Sequence, residues 1–446
     1  MSTPRTRLAV FCVLLSIALA GQAARSRVLP EVTLLDLVEI DFAYTTISDH
    51  FYRNTQPQQL LDGARMGMLA YLRERGIARP RIGAMHVHPD GRGAVPAIER
   101  EMGRAIVRYG ARINVRDFVY STIRGELGAL GDRYSEFFTP REVKGFTTAL
   151  DGTAFGGIGA VLGGDGTTEP WRIDSVFDDG PAARAGLLSG DVIVSVEATP
   201  AQGATRDALT ALLRGKVGSV VHVIASRDGT TLAPITIVRA VVTPPELVAR
   251  MLPEGIGYVA LQSFGANAGT EVHAALRRLE AQGASAFVFD LRGDGGGYEH
   301  AAVQVASAFI ARGPIVAIQE NHGKRRVTSA DGSAVAPRPL VVLVDHDSAS
   351  GSELVTAALA DHGVGKIVGT RTFGKGLVQS VFPLPDGSAI KLTSARYFTP
   401  NGHDIDRVGI LPDVVVDEPA GAEAGVPGHD PQLDAALHVL KKDDPR

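Results

Sequence analysis

The second half of this chain predicts an α/β domain, preceded by a compact α+β module and a mostly helical N-terminal region. Three observations carry this reading. Beyond Pro244 and Pro245, short apolar strands alternate with amphipathic helices, as in GIGYVALQSF, EVHAALRRLEAQG, SAFVFDLRG, YEHAAVQVASAFI, PLVVLVD and SELVTAALADHG. Nearly continuous apolar strands need cover on both faces of their sheet. From Gly152 to about Val242 the texture is instead short β-branched runs between glycines (WRIDSVF, DVIVSVEA, SVVHVIASRDG), with two helical pieces, PAARAGLL and TRDALTALLRG. Residues 30–150 place apolar side chains at helical spacing, as in QQLLDGARMGMLAYLRERG and RDFVYSTIRGELGALGDRY.

Taken in order, the chain opens with Arg5 and Arg7 ahead of an apolar run, Leu8 to Gly21, and small residues at Ala18, Ala20, Ala23 and Ala24. This is the pattern of a secretory signal over 1–24, with cleavage expected near Ala20 or Ala23, or alternatively an uncleaved anchor. Export to a periplasmic or extracellular compartment follows, with membrane contact only through such an anchor. The single cysteine, Cys12, lies inside the run, so a processed chain has no disulfide, thiol catalysis or cysteine metal site. Within the helical region, 77–96 (IARPRIGAMHVHPDGRGAVP) exchanges periodicity for Pro and Gly and reads as a loop or insertion. Residues 151–242 form the α+β module and 243–417 the α/β core. After Glu418 come a linker and a short helix, DAALHVLKK, over 418–446. A net charge of -4, from 45 basic and 49 acidic residues, gives no footprint for nucleic acid. His86 and His88 are two residues apart, and His346, His362 and His403 are scattered. With no HExxH and no acidic cluster at zinc spacing, neither a metal nor another cofactor is expected.

Three segments could carry chemistry. In PLVVLVDHDSASGSELVTAALADH (339–362) a strand runs into a helix through Ser348, Ser350 and Ser352. A serine at such a junction places its oxygen beside unpaired helix amides, which favour developing negative charge. Equally, Ser350 with Glu353 three residues on is a helix-capping pattern. In FVFDLRGDGGGYEH (287–300) a second strand ends in Gly293, Gly295, Gly296 and Gly297, whose amides could hold an oxyanion or simply make a tight turn. A dinucleotide loop is excluded there by the missing final glycine. GTRTFGKGLVQ (369–379) copies most of a phosphate loop, but Gly376 stands where magnesium binding needs Ser or Thr. If GLVQSVF is a strand, Lys375, Leu377, Gln379 and Val381 share one face among apolar neighbours such as Phe373 or Val378. Burial there would depress the lysine pKa toward a value useful for taking a proton from serine. Gly374 and Gly376 would leave room for substrate backbone to approach.

DSASGSE, GTRTFGKGLVQ, FVFDLRGDGGG, YFTPNGHDIDRVGILPDVVV, FGGIGAVL and PAARAGLLSGDVIVSVEA together resemble the C-terminal processing peptidases, or tail-specific proteases, across roughly 110–417. The resemblance implies a crotonase-like catalytic core with an inserted PDZ domain, and a serine endopeptidase that cuts proteins near their C-termini. Its nucleophile is the middle serine of the Ser-rich motif, here Ser350; its base lies 25 residues later, here Lys375; a glutamine follows four on, here Gln379, to orient the amine. The amides of Gly296 and Gly351 would form the oxyanion hole. Gly157, Ile158 and Gly159 would receive a peptide carboxylate, with Arg214 relaying occupancy to the active site. Protein C-termini are the implied partners, and oligomers are compatible. The chain departs from the family at Asp294-Gly295 in place of Asn-Pro, at Gly351 in place of alanine, and in the 77–96 insertion. The alternative is a catalytically silent PDZ-containing peptide-binding or scaffold protein.

Overall fold

The computed structural model describes residues 34–442, apart from 151–154, 165, 167–169, 178–179, 243–246, 324 and 420–423. The apolar run at 8–21 lies outside the described residues. Four helices come first: α1 (Leu34–His50), α2 (Pro57–Glu74), α3 (Ala94–Tyr109) and α4 (Val115–Ala129). Pro57 opens α2 where its missing amide costs no hydrogen bond. Asn114 caps α4 by accepting from the Asp117 amide at 3.1 Å. Helices α2 and α4 cross at glycines. A Cβ on Gly67 would stand 2.0 Å from the Ser121 carbonyl oxygen, and one on Gly125 2.2 Å from that of Gly63. The glycine spacing in these two segments therefore marks a close helix crossing. Residues 77–93 form neither helix nor strand. Strand β1 (Glu136–Phe138) and helix α5 (Pro140–Leu150) follow.

The α+β module is an antiparallel sheet whose strands Ala160–Gly163, Arg172–Val176, Val192–Val196 and Val220–Arg227 lie side by side in that order. Trp171, Ile173, Leu187, Leu209 and Val221 fill its core. Phe155–Gly157 pairs antiparallel with Ala240–Val242. Entry and exit strands thus leave the module together, as an insertion requires.

The core begins with β2 (Leu247–Leu252), β3 (Ile256–Leu261), α6 (Ala268–Ala281), β4 (Ala286–Asp290) and α7 (Glu299–Ser307). It continues through β5 (Pro314–Glu320), β6 (Arg325–Ser329), β7 (Leu340–Val344), α8 (Gly351–Asp361), β8 (Lys366–Gly369), β9 (Leu377–Pro383) and β10 (Ala389–Phe398). It ends in β11 (Val414–Val415) and α9 (Pro431–Lys442). The main sheet has the order β2-β3-β4-β7-β8-β11, parallel except for β2. Every residue of β3, β4 and β7 is buried, because both faces are covered. Residues such as Val259, Phe289 and Val342 pack toward α6, α7 and α8. Tyr258, Val288 and Val341 pack with Leu433, Ala436 and Leu440 of α9. The C-terminal helix is thus longer than its sequence signal, and it closes the back of the sheet. In the second sheet β10 is central, flanked by β1, β5 and β9. Leu384, Ile390 and Leu392 of the β9–β10 hairpin belong to the core of the N-terminal helices, which holds that hairpin in place.

Candidate active site

The three serines after β7 have different environments. Ser348 is fully buried; its hydroxyl donates to the Leu291 carbonyl at 2.8 Å and accepts from the Asp345 amide at 2.9 Å. Ser352 is equally buried and donates to the Asp294 carbonyl at 2.8 Å. Both tie the strand ends of β4 and β7 together. Ser350, half-buried, takes the remaining position at the N-terminus of α8 with φ of +54° and ψ of −108°. A non-glycine residue held at positive φ is strained, and such strain concentrates at functional turns.

The glycine loop after β4 lies directly against this turn. Gly296 has φ of +95°, and a Cβ there would stand 2.7 Å from the Gly351 nitrogen and 2.8 Å from Ser350 Cβ. Only glycine lets the loop approach the serine so closely. The Gly296 amide donates to Asp294 Oδ1 at 2.8 Å, so that donor is engaged within its own loop. A Cβ on Gly351 would lie 3.1 Å from the Phe264 ring. An alanine at this position would press on the Phe264 ring, which would have to give by a few tenths of an ångström.

Lys375 lies two residues before β9. Burial pushes its pKa down, and Lys391 and Arg133 push it further in the same direction, against an opposing pull from Glu353. Its Nζ stands 5.2 Å from the centre of the Tyr134 ring. The expected neighbour Phe373 is instead half exposed. The glycines beside the lysine have a different purpose from the one the sequence implies. A Cβ on Gly374 would meet the Gly409 nitrogen at 3.0 Å, and one on Gly376 the Asp406 nitrogen at 2.7 Å. The room they leave is filled by the 406–409 turn, so it is not open to substrate backbone. Gln379 lies in β9, where its side chain donates to the Leu377 carbonyl at 3.4 Å.

Ser350, Gly296, Gly351, Lys375 and Gln379 all line one cavity of about 430 Å3, whose apolar wall includes Leu354, Leu377 and Val381. Peptidase family S41 matches residues 255–416, and a PDZ domain matches 164–235. A carboxyl-terminal-processing protease of Picosynechococcus sp. is 32% identical over 74% of this chain and 81% of its own. The chloroplastic C-terminal processing peptidase of Tetradesmus obliquus is 36% identical over 67% of this chain and 68% of its own. The chain belongs to peptidase family S41, among the carboxyl-terminal processing proteases. Among solved structures, the photosystem II D1 C-terminal processing protease aligns at 29% identity with a TM-score of 0.49, over 92% of this chain and 98% of that one. The family matches make the chain a serine peptidase with a PDZ domain, carried on the α/β fold described above.

In this S41 peptidase one residue joins the two halves of the site, and sequence reasoning saw only its capping role. Glu353 is fully buried. Its Oε2 accepts the amides of Ser350 at 3.0 Å and Lys375 at 2.8 Å, while Oε1 accepts the Gly374 amide at 2.7 Å and the Thr372 hydroxyl at 2.6 Å. Four donors on one carboxylate fix the serine turn against the lysine loop. Tyr397 adds a bond from its hydroxyl to the Ser350 carbonyl at 3.1 Å. The other expected residues lie in the α+β module. Gly157 ends the entry strand, Ile158 is buried in the domain core, and Gly159 has φ of +73°. Arg214 is exposed, and its backbone caps the helix Arg206–Leu213. His86 is exposed and His88 pairs with Asp90 at 2.7 Å. Among the described residues no helix is long and apolar enough to cross a membrane.

Proposed function

We propose that this peptidase cleaves proteins near their C-termini with Ser350 as nucleophile and Lys375 as general base. The observation that carries the reading is the strained Ser350 and the half-buried Lys375, whose pKa burial pushes down, opening on one cavity. Neutral Lys375 takes the Ser350 Oγ proton as Oγ bonds to the scissile carbonyl carbon, and the carbonyl oxygen becomes an oxyanion. The Gly351 amide, beside the nucleophile at the start of α8, is the first donor to that oxygen; the Gly296 amide joins when Asp294 releases it. Lys375 returns the proton to the leaving amine, and the Ser350 ester remains. Water then attacks the ester, Lys375 takes its proton, and the acid product leaves as the proton goes back to Ser350. Gln379 orients the lysine amine.

The Ala160–Gly163 strand is the edge of the PDZ sheet and follows Gly157-Ile158-Gly159 directly. An extended tail added to that edge, with its carboxylate on the loop amides, would supply tail recognition, and Arg214 would relay its presence. The signal pattern at 1–24 supports an exported protein as the setting of this activity. The test is mass spectrometry of products from an unfolded protein ending in apolar residues and from the same protein ending in two aspartates. Cleavage that favours the apolar tail supports the reading. Equal cleavage of both, or no cleavage of either, contradicts it.

A further inference from the structure

The N-terminal helical region carries a cleft of about 770 Å3 on the far side of the sequence from the catalytic motifs, where α2, α3 and the 80–83 segment meet. Five arginines line it, Arg65, Arg73, Arg81, Arg104 and Arg108, with a single carboxylate, Glu101. In a chain of net charge -4 this is a strong local excess of positive charge. Glu101 pairs with Arg104 and leaves the other four arginines unneutralised. It is buried, and it accepts the Gly83 amide at 2.8 Å and the Arg104 guanidinium at 2.5 Å. Among the described residues, none of Arg65, Arg73, Arg81 and Arg108 stands within ion-pair distance of a carboxylate.

The walls are preformed. The Tyr109 hydroxyl accepts the Arg81 amide at 2.7 Å, and Arg65 Nε and Arg108 Nη1 donate to the Ile82 and Arg81 carbonyls at 3.1 and 3.3 Å. These bonds, with the one to Glu101, hold the irregular 80–83 segment against both helices. Beneath the guanidiniums the floor is apolar, with Leu69 and Ile82 buried. Guanidiniums crowded together repel one another unless an anion bridges them, and their planar forks fit tetrahedral oxyanions in bidentate fashion.

We propose that this cleft binds a phosphate-bearing anion, either a free phosphate compound or a phosphate headgroup, away from the catalytic cavity. The 77–96 insertion thereby gains a function, because it supplies Arg81 and the fixed wall. Since most of these arginines are exposed, binding weakens as salt rises.

The test uses the double variant R73Q/R81Q, which keeps every wall bond, since those run through the Arg81 backbone, Arg65, Glu101, Arg108 and Tyr109. Calorimetric titration with inorganic pyrophosphate at low salt reads the soluble form of the ligand. Flotation with phosphatidylcholine vesicles, with and without phosphatidylglycerol, reads the headgroup form. Saturable pyrophosphate binding that falls about tenfold or more in the variant supports a soluble phosphate ligand. Flotation that needs phosphatidylglycerol and is lost in the variant, without pyrophosphate binding, supports a headgroup. Absence of both, or binding unchanged in the variant, overturns the proposal.

Discussion

Lys375 stands between opposing fields: burial, Lys391 and Arg133 disfavour its proton, while Glu353 favours it. Lys391 lines the same cavity and pairs with Glu136, so its charge is fixed near Lys375. Lys391→Met removes a like charge, and the Lys375 pKa then rises. The acid limb of the kcat/KM profile should move to higher pH, with activity at neutral pH falling and activity at alkaline pH recovering. An unmoved limb in that variant would remove Lys391 from the tuning of the base. That Ser350 and Lys375 would come to line one cavity was legible because a short motif fixes each of them and the interval between them is readable along the chain. Tyr134 and Lys391 were not legible, since only the pairing of β1 with β10 brings their segments beside the lysine.

Among the elements, α8 and the loop before β9 meet at Glu353. Glu353→Gln keeps the shape but replaces one acceptor oxygen by an amide that faces backbone donors. A buried donor left unsatisfied costs about 1–3 kcal/mol, so thermal unfolding should shift down. kcat should fall as the serine turn loosens, and the acid limb should shift to lower pH, because the charge that favours protonated Lys375 is gone. That direction is opposite to the one expected for Lys391→Met, which separates loss of positioning from loss of tuning. A capping pattern announces this glutamate in the sequence, yet capping explains only the bond to Ser350. Its bonds to Thr372, Gly374 and Lys375 depend on a loop returning from across the sheet. Similarly, the pattern of strands and helices predicted a sheet covered on both faces, but nothing in the short DAALHVLKK signal said that α9 is the second cover. Arg292, next to the glycine loop, bonds both Asp290 and Asp430, and that ion-pair network fixes the approach to α9.

Across the whole molecule, the N-terminal helices and the β9–β10 hairpin share one core, and a carboxyl pair, buried Glu39 and half-buried Asp386, lies against it. Glu39 of α1 is buried, accepts from the Ser388 hydroxyl at 2.9 Å and faces Asp386, which also receives the Tyr120 hydroxyl. Burial, reinforced by Asp386, raises the Glu39 pKa from 4.5 to about 7. The folded state therefore holds this proton more tightly than the unfolded chain does. Stability contributed by Glu39 is full below about pH 4.5 and is lost as pH rises through about 7. Asp386, whose pKa is lowered from 3.8, acts in the opposite sense and only at more acid pH. Denaturant midpoints of the unaltered protein should fall across that window, and those of Glu39→Gln should stay flatter. The sequence marked α1 as helical but gave no sign that it clamps a hairpin some 350 residues away, because that contact joins two separately periodic segments.

The central claim is that Ser350 and Lys375 act as a pair. The most direct measurement compares cleavage of an unfolded protein with an apolar C-terminus by the unaltered enzyme, Ser350→Ala and Lys375→Ala, each first shown to be folded. Cleavage by the unaltered enzyme alone is the predicted result. Cleavage by either variant at the unaltered rate would contradict it.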